Sequence, residues 1–185
     1  MVDDKNERLN RDDWLRASLD LCTSGIEQVK IAARAADMGV TSGSFYWHFK
    51  NRRELLEALL GYWEHEMTDV AMDTARRFPG TAQERIYRLM EGVMTNSFAR
   101  YDLTIWLWAQ SDAEVAKVFQ RVLTKRFEFA AWMFAQVGFQ PEQAEARGRM
   151  MVVYLMGEST LVPDSMTRRK QDLRIKHAIL IAPEV

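Results

Sequence analysis

The chain is poor in the residues that interrupt or staple a fold. Its 185 residues include one cysteine, four prolines and nine glycines. A lone Cys22 closes no intramolecular disulfide, which argues against a disulfide-framed secreted scaffold and fits a reducing compartment. So few breakers leave long stretches free to stay helical, and strand-like alternation of apolar and polar residues is hard to find. No sign of charge dominates: 25 Lys and Arg face 26 Asp and Glu, for a net charge of −1. The whole molecule is no polycation, so any affinity for nucleic acid must come from a local patch. Long apolar runs are lacking as well. The stretch Met150 to Gly157 is far too short to span a bilayer. The charged segment Val2 to Asp13 has no apolar core of a signal peptide. These absences predict a soluble cytoplasmic protein that does not enter a membrane.

What remains is rich in helix signals, and 48% hydrophobic residues suffice for a substantial core. The spacing predicts an all-α chain of about nine helices. The first runs from about Arg11 to Thr23, with Trp14, Leu15, Ser18, Leu19 and Cys22 on one side, and ends at Gly25. The second runs from about Glu27 to Met38 and stops at Gly39. Thr41 is placed to cap a third, in which Phe45 and Phe49 share an inward face. Asn51, with Glu54 three positions on, opens a long fourth helix that ends at Phe78-Pro79-Gly80. Thr81 and Glu84 open a fifth, to about Tyr101, and a short sixth covers about Leu103 to Gln110. Ser111 caps a seventh that ends at Gly138. Pro141 opens an eighth, to about Ser159, and Asp164 precedes a ninth. The expected division is a three-helix head, residues 1–50, and a helical body, residues 51–185.

The densest chemistry lies in Thr41-Ser42-Gly43-Ser44-Phe45-Tyr46-Trp47-His48-Phe49-Lys50-Asn51-Arg52-Arg53. From Gln28 to Arg53, Lys30, Arg34, Lys50, Arg52 and Arg53 face Asp37 alone. A helix-turn-helix reader lays its second helix in the major groove, so the first turn of that helix needs small residues. Ser42, Gly43 and Ser44 supply them, with hydroxyls for base edges or phosphates. Thr41, Tyr46, Trp47, His48 and Lys50 are donors for the rim. Phe45 and Phe49 read as core. Three further large side chains, Tyr46, Trp47 and His48, would overfill a three-helix head.

The run from about Arg11 to Leu60 resembles the N-terminal domain of the TetR family of bacterial transcriptional regulators. The motif that carries it is Gly39-Val40-Thr41-Ser42-Gly43-Ser44-Phe45-Tyr46-Trp47-His48-Phe49-Lys50-Asn51-Arg52. The resemblance implies a ligand-responsive DNA-binding regulator, usually a repressor, that acts as a homodimer on a palindromic double-stranded operator. It implies operator contacts from Lys30, Thr41, Ser42, Gly43, Ser44, Tyr46, Trp47, His48 and Lys50. Arg34 departs from the pattern, standing where the family usually has Leu or Ile; it is expected to reach partial exposure and contact phosphate. Arg52 stands where the family usually has Lys.

The resemblance also implies a small apolar or aromatic effector held in the body, between the fourth helix and helices five to eight. Met67, Met94, Phe98, Trp106 and Tyr154 are the candidate linings. Dimerisation is expected through Ala144, Gly148, Met151, Val152 and Leu155 of the eighth helix. Leu173, Ile175, Ala178, Ile179 and Ile181 of the ninth would join them. No cofactor is expected, and no nucleophile–base pair suggests an enzyme. Glu64, His65, Glu66 and Asp69 form a weak metal-ligand pattern, read more simply as a solvated helix face. The rival reading is a helical small-molecule-binding dimer without specific operator recognition.

Overall fold

The computed structural model describes residues 9–23, 25–96, 98–161 and 166–183. Among them every regular element is helical: α1 Arg11–Cys22, α2 Ile31–Asp37, α3 Ser42–Tyr46, α4 Arg52–Glu64, α5 Val70–Arg77, α6 Ala82–Thr95, α7 Ala99–Ala109, α8 Ala113–Val137, α9 Pro141–Leu161 and α10 Met166–Ile181. A 3-10 turn covers Ile26–Gln28, and a π turn, His65–Asp69, joins α4 to α5 without a break. The described residues therefore form nine continuous helices. The chain divides into two compact units, Met1–Tyr62 and Trp63–Val185. That division falls inside the long fourth rod, whereas 50/51 marks its start.

The first unit is built on aromatic packing. Trp14, Phe45 and Phe49 are fully buried, with Phe45 edge-on to Trp14 at 5.4 Å and stacked on Phe49 at 5.4 Å. The first predicted helix forms, and Trp14, Leu15, Ser18, Leu19 and Cys22 are its buried face. Burial of the Cys22 thiol in this core pushes its pKa up to about 12, so it stays an inert thiol.

The second predicted helix begins four residues late. Ile26–Gln28 is a 3-10 turn, Val29 is buried, and α2 opens only at Ile31. Arg52 supplies the reason. Its Nε donates to the Val29 carbonyl at 2.8 Å and its Nη2 to the Ile26 carbonyl. The Val29 carbonyl is taken by this distant side chain, and the Ile26 carbonyl is shared between it and the Val29 N–H of the 3-10 turn, so neither joins an α-helical ladder. Gly39, with φ of 68°, ends the segment as expected.

Three further boundaries differ from the sequence reading. The fifth predicted helix stops at Thr95, because Asn96 turns back and donates to the Gly92 carbonyl at 2.8 Å. The next helix then starts at Ala99 instead of Leu103. The cap of α8 is Asp112 and not Ser111. Asp112 Oδ1 accepts from the backbone N–H of Glu114 and Val115, while the Ser111 hydroxyl donates to the Trp108 carbonyl. Thr81 and Glu84 form the reciprocal capping box expected of them. Asp164 lies outside the described residues.

The core of the second unit joins Ile86, Met90 and Met94 of α6 to Met133 and Phe134 of α8 and Met151 of α9. Helices α8 and α9 approach closely at Gly148, where a Cβ would stand 2.7 Å from the Ala131 backbone nitrogen. This overturns the expected dimer face of α9. Ala144, Gly148, Met151, Val152 and Leu155 are buried within the unit, as is Leu173 of α10. The apolar residues left outside are Met150 and Val153 on α9 and Ile175 and Ile179 on α10, all more than half exposed. No helix among the described residues is long and apolar enough to cross a membrane.

Candidate nucleic-acid interface and a cavity in the helical body

Helix α3 is a single short turn-and-a-half whose orientation is fixed from below. Phe45 and Phe49 anchor it, so the positions between them point away from the core. Tyr46 is 60% and Trp47 87% exposed. An indole that open to water is unusual, since aromatic surface is normally covered. Thr41, Ser42 and Gly43 are exposed and Ser44 is half-buried. Thr41 occupies the N-cap position with an extended backbone, yet its side chain makes no capping hydrogen bond. A Cβ on Gly43 would meet only Thr41 Oγ1 at 3.4 Å, an ordinary contact. Nothing inside the chain demands glycine there.

The cations separate into two kinds. Lys30 and Lys50 are exposed, and neither ammonium pairs with a described residue. Arg52 is committed to backbone carbonyls, and Arg34 lies 3.6 Å from Asp37 with a side chain only 17% exposed. The partial exposure expected of Arg34 is what the fold adopts, and its guanidinium pairs locally with Asp37, within α2. His48 is half-buried. Its Nε2 lies 2.9 Å from the Leu9 carbonyl, an acceptor only, so that nitrogen carries the proton and ties α3 to the segment before α1.

The second unit contains a narrow cavity of about 50 Å³, open at its mouth to solvent. Met67 and Thr68 reach it from the π turn, Phe98 and Asp102 from the α7 region, Arg126 and Phe129 from α8. Met72, Met151 and Met156 add adaptable apolar surface. Of the five candidate linings, Met67 and Phe98 border this cavity. Met94, on α6, is buried in the core, Trp106 is 44% exposed, and Tyr154 lies on an outer groove with Arg149, Met150 and Val153.

Residues 18–59 match the family described as bacterial regulatory proteins, tetR family. That match lies within the first compact unit. Tetracycline repressor protein class D of Escherichia coli is 40% identical over 53 residues, 28% of this chain and 24% of the relative. The match thus spans about a quarter of that relative's length. Over nearly the whole chain the fold is that of solved regulators. AibR, solved in complex with isovaleryl coenzyme A and operator DNA, has a TM-score of 0.72 at 18% identity, covering 96% of this chain and all of that one. FadR of Bacillus subtilis, in complex with stearoyl-CoA, has a TM-score of 0.62 at 16% identity, covering 93% of this chain and 96% of that one. At such identities these two likenesses establish fold alone.

In the second unit, the sequence reading missed the polar half of the cavity. Asp102 is 3% exposed; its Oδ1 accepts from Trp63 Nε1 at 2.8 Å and its Oδ2 from Arg126 Nη1 at 2.9 Å. Arg126 Nε donates to Thr68 Oγ1 at 3.0 Å, and its guanidinium lies over the Trp63 ring. A search for apolar linings passes over both charges. The available signal was Asp102 itself, the one carboxylate in the segment Phe98 to Ala109, which is apolar but for Arg100, Asp102 and Thr104 and the Tyr101 hydroxyl.

The weak metal pattern dissolves into ion pairs. Glu64 is gripped by Arg121 and Lys125 of α8, at 2.6 and 3.0 Å, and Lys125 also holds Asp69 at 3.1 Å. Among the described residues no group of three His, Cys, Asp or Glu side chains is arranged to hold a metal. Hydrogen bonding from Arg121, then from Lys125, lowers the Glu64 pKa to about 2 against the burial that would raise it. A carboxyl held below its unfolded value stabilises the fold above that value and loses this contribution as pH falls. Stability of the body should therefore drop between about pH 4.5 and pH 2, by about 1–3 kcal/mol from this group after allowing for its half-exposed partners. Acid denaturation of Glu64→Gln should show a correspondingly flatter slope; an unchanged slope would remove the assignment.

Proposed function

We propose that this chain is a ligand-responsive DNA-binding transcriptional regulator. It binds a palindromic operator as a homodimer, represses, and is released by a small apolar or aromatic effector; it is not an enzyme. The observation that carries the reading is the outer face of α3. Small residues at its start, an exposed phenol, an exposed indole and an unpaired Lys50 stand together on a segment whose opposite face is locked by Phe45 and Phe49. A helix entering a major groove needs that combination: room at its N-terminal end and donors on its rim. Glycine at position 43, unneeded by the fold itself, is explained by close approach to a duplex.

In this reading Lys30, Thr41, Ser42, Gly43, Ser44, Tyr46, Trp47 and Lys50 contact the operator. His48 contributes through its second ring nitrogen and by holding α3 in place. Dimerisation uses Met150 and Val153 of α9 with Ile175 and Ile179 of α10, the large apolar side chains left more than half exposed on those two helices. The effector occupies the cavity bordered by Met67 and Phe98. It acts by binding one of two states more tightly, so that the DNA-competent population falls. Two proteins of this fold, solved with acyl-coenzyme A ligands and in one case with operator DNA, are parallels that support that arrangement.

Fluorescence anisotropy on the duplex flanking the gene, over a range of salt, tests the reading. Sequence-specific binding in moderate salt is expected. Weak binding indifferent to sequence would favour the rival reading of a small-molecule-binding dimer. The double variant Tyr46→Phe with Lys50→Ala should weaken operator binding by about tenfold or more and reduce the salt slope by about one. Thermal unfolding of the double variant should be unchanged, since both side chains face water.

A further inference from the structure

Among the polar side chains of the cavity, Arg126 keeps donor capacity that no described residue takes up. Among its lining residues Arg126 is the one cation and Asp102 the one anion, set in a wall otherwise apolar except for Thr68. A guanidinium only donates. Arg126 Nε is used by Thr68 and Nη1 by Asp102, whose second oxygen is used by Trp63. Arg126 Nη2 has no acceptor among the described residues, and it is not one of the sealed polar atoms.

Charge narrows the class of guest. Arg126 and Asp102 already neutralise each other at 2.9 Å. A carboxylate guest would leave a net negative charge in an apolar cavity, with its desolvation uncompensated. A neutral oxygen acceptor leaves the balance untouched and takes a hydrogen bond from a charged donor, the stronger kind. We propose that the cavity takes a small neutral molecule with an apolar or aromatic body and one acceptor oxygen, such as a ketone, ester or amide carbonyl, which bonds to Arg126 Nη2. The body lies between Phe98, Phe129 and the methionines. Met67, Met72, Met151 and Met156 have the rotational freedom to widen a space now narrow. This assignment rests on the reading of the second unit as the effector-binding unit.

The test is calorimetric titration of the full chain with three probes of matched outline and equal numbers of non-hydrogen atoms: acetophenone, cumene and benzoate. Acetophenone is expected to bind about tenfold or more tightly than either of the others. In the double variant Asp102→Asn with Arg126→Met, removed as a pair so that no lone charge is left, cumene affinity should persist and the preference for acetophenone should vanish. Should that variant not fold, the three probes on the unmodified chain still decide. Benzoate binding tightest, acetophenone no better than cumene, or no binding by any probe would each overturn the proposal. Operator anisotropy on the same preparation separates the two readings. Probe discrimination without DNA binding refutes the regulator alone; specific DNA binding without discrimination refutes the ligand class alone.

Discussion

Phe45→Ala should unfold the N-terminal unit at moderate temperature and abolish operator binding with it. The ring is fully buried and touches Trp14, Tyr46 and Phe49, with centroids 5.2–5.4 Å away. Truncating a buried Phe costs about 3–5 kcal/mol through lost transfer energy and the cavity left behind. A unit of this size has little margin, because a small domain buries a modest share of its surface. The loss is also directional. Phe45 and Phe49 are what hold α3, so the outward set of Ser42, Tyr46 and Trp47 loses its platform. Near-ultraviolet circular dichroism, dominated in this unit by Trp14, Trp47 and the tyrosines, should lose structure. Hydrogen exchange in α8 and α9 should stay slow. A variant that keeps native exchange protection in α1 and α3 would show that the aromatic cluster is not what fixes this unit.

Asp102→Ala should cost the body about 3–5 kcal/mol, as expected for removing one member of a buried charge pair. Arg126, with a side chain 14% exposed, would keep its charge without a counter-ion, and the indole N–H of the fully buried Trp63 would lose its acceptor. Replacing the pair together, Asp102→Asn with Arg126→Met, should recover most of the loss. Asparagine still accepts from Trp63, and methionine fills the space without a charge. Urea denaturation of the single and double variants measures both terms. A single variant within about 1 kcal/mol of the parent would mean that solvent reaches the pair and screens it.

Local signals were read correctly where local chemistry decides. Asn51 accepts from the Glu54 backbone at 3.0 Å, Thr81 and Glu84 form their box, and Gly39 and Gly138 take positive φ at helix ends. Each depends on residues a few positions apart, so the order of residues is enough. The reading failed where a distant group intervenes. Nothing near Ile26 announces that Arg52 will take its carbonyl. Nothing in the α9 stripe of Ala144, Gly148, Met151, Val152 and Leu155 says whether it covers α8 or a second copy of the chain.

For the candidate sites the same rule holds. Exposure of Tyr46 and Trp47 follows from Phe45 and Phe49 being four apart, because a helix has one inward face. The engagement of His48 with Leu9 spans 39 positions and is invisible to spacing. The cavity needed more still. Its polar corner joins Trp63 and Thr68 of one continuous helix to Asp102 of α7 and Arg126 of α8, and a charge on a helix reads as surface until its partner is placed beside it.

By itself the order of amino acids determined an all-helical chain, its caps and breaks, and a short N-terminal turn with a hydrophobic underside and a polar, aromatic outer side. Those follow from periodicity and neighbouring hydrogen bonds. Only the tertiary structure decided which methionines border the cavity, which apolar face of α9 is left uncovered, and that Asp102 and Arg126 meet inside. Burial and electrostatic pairing depend on distances in space, and residues far apart in the chain acquire those distances only when the helices pack.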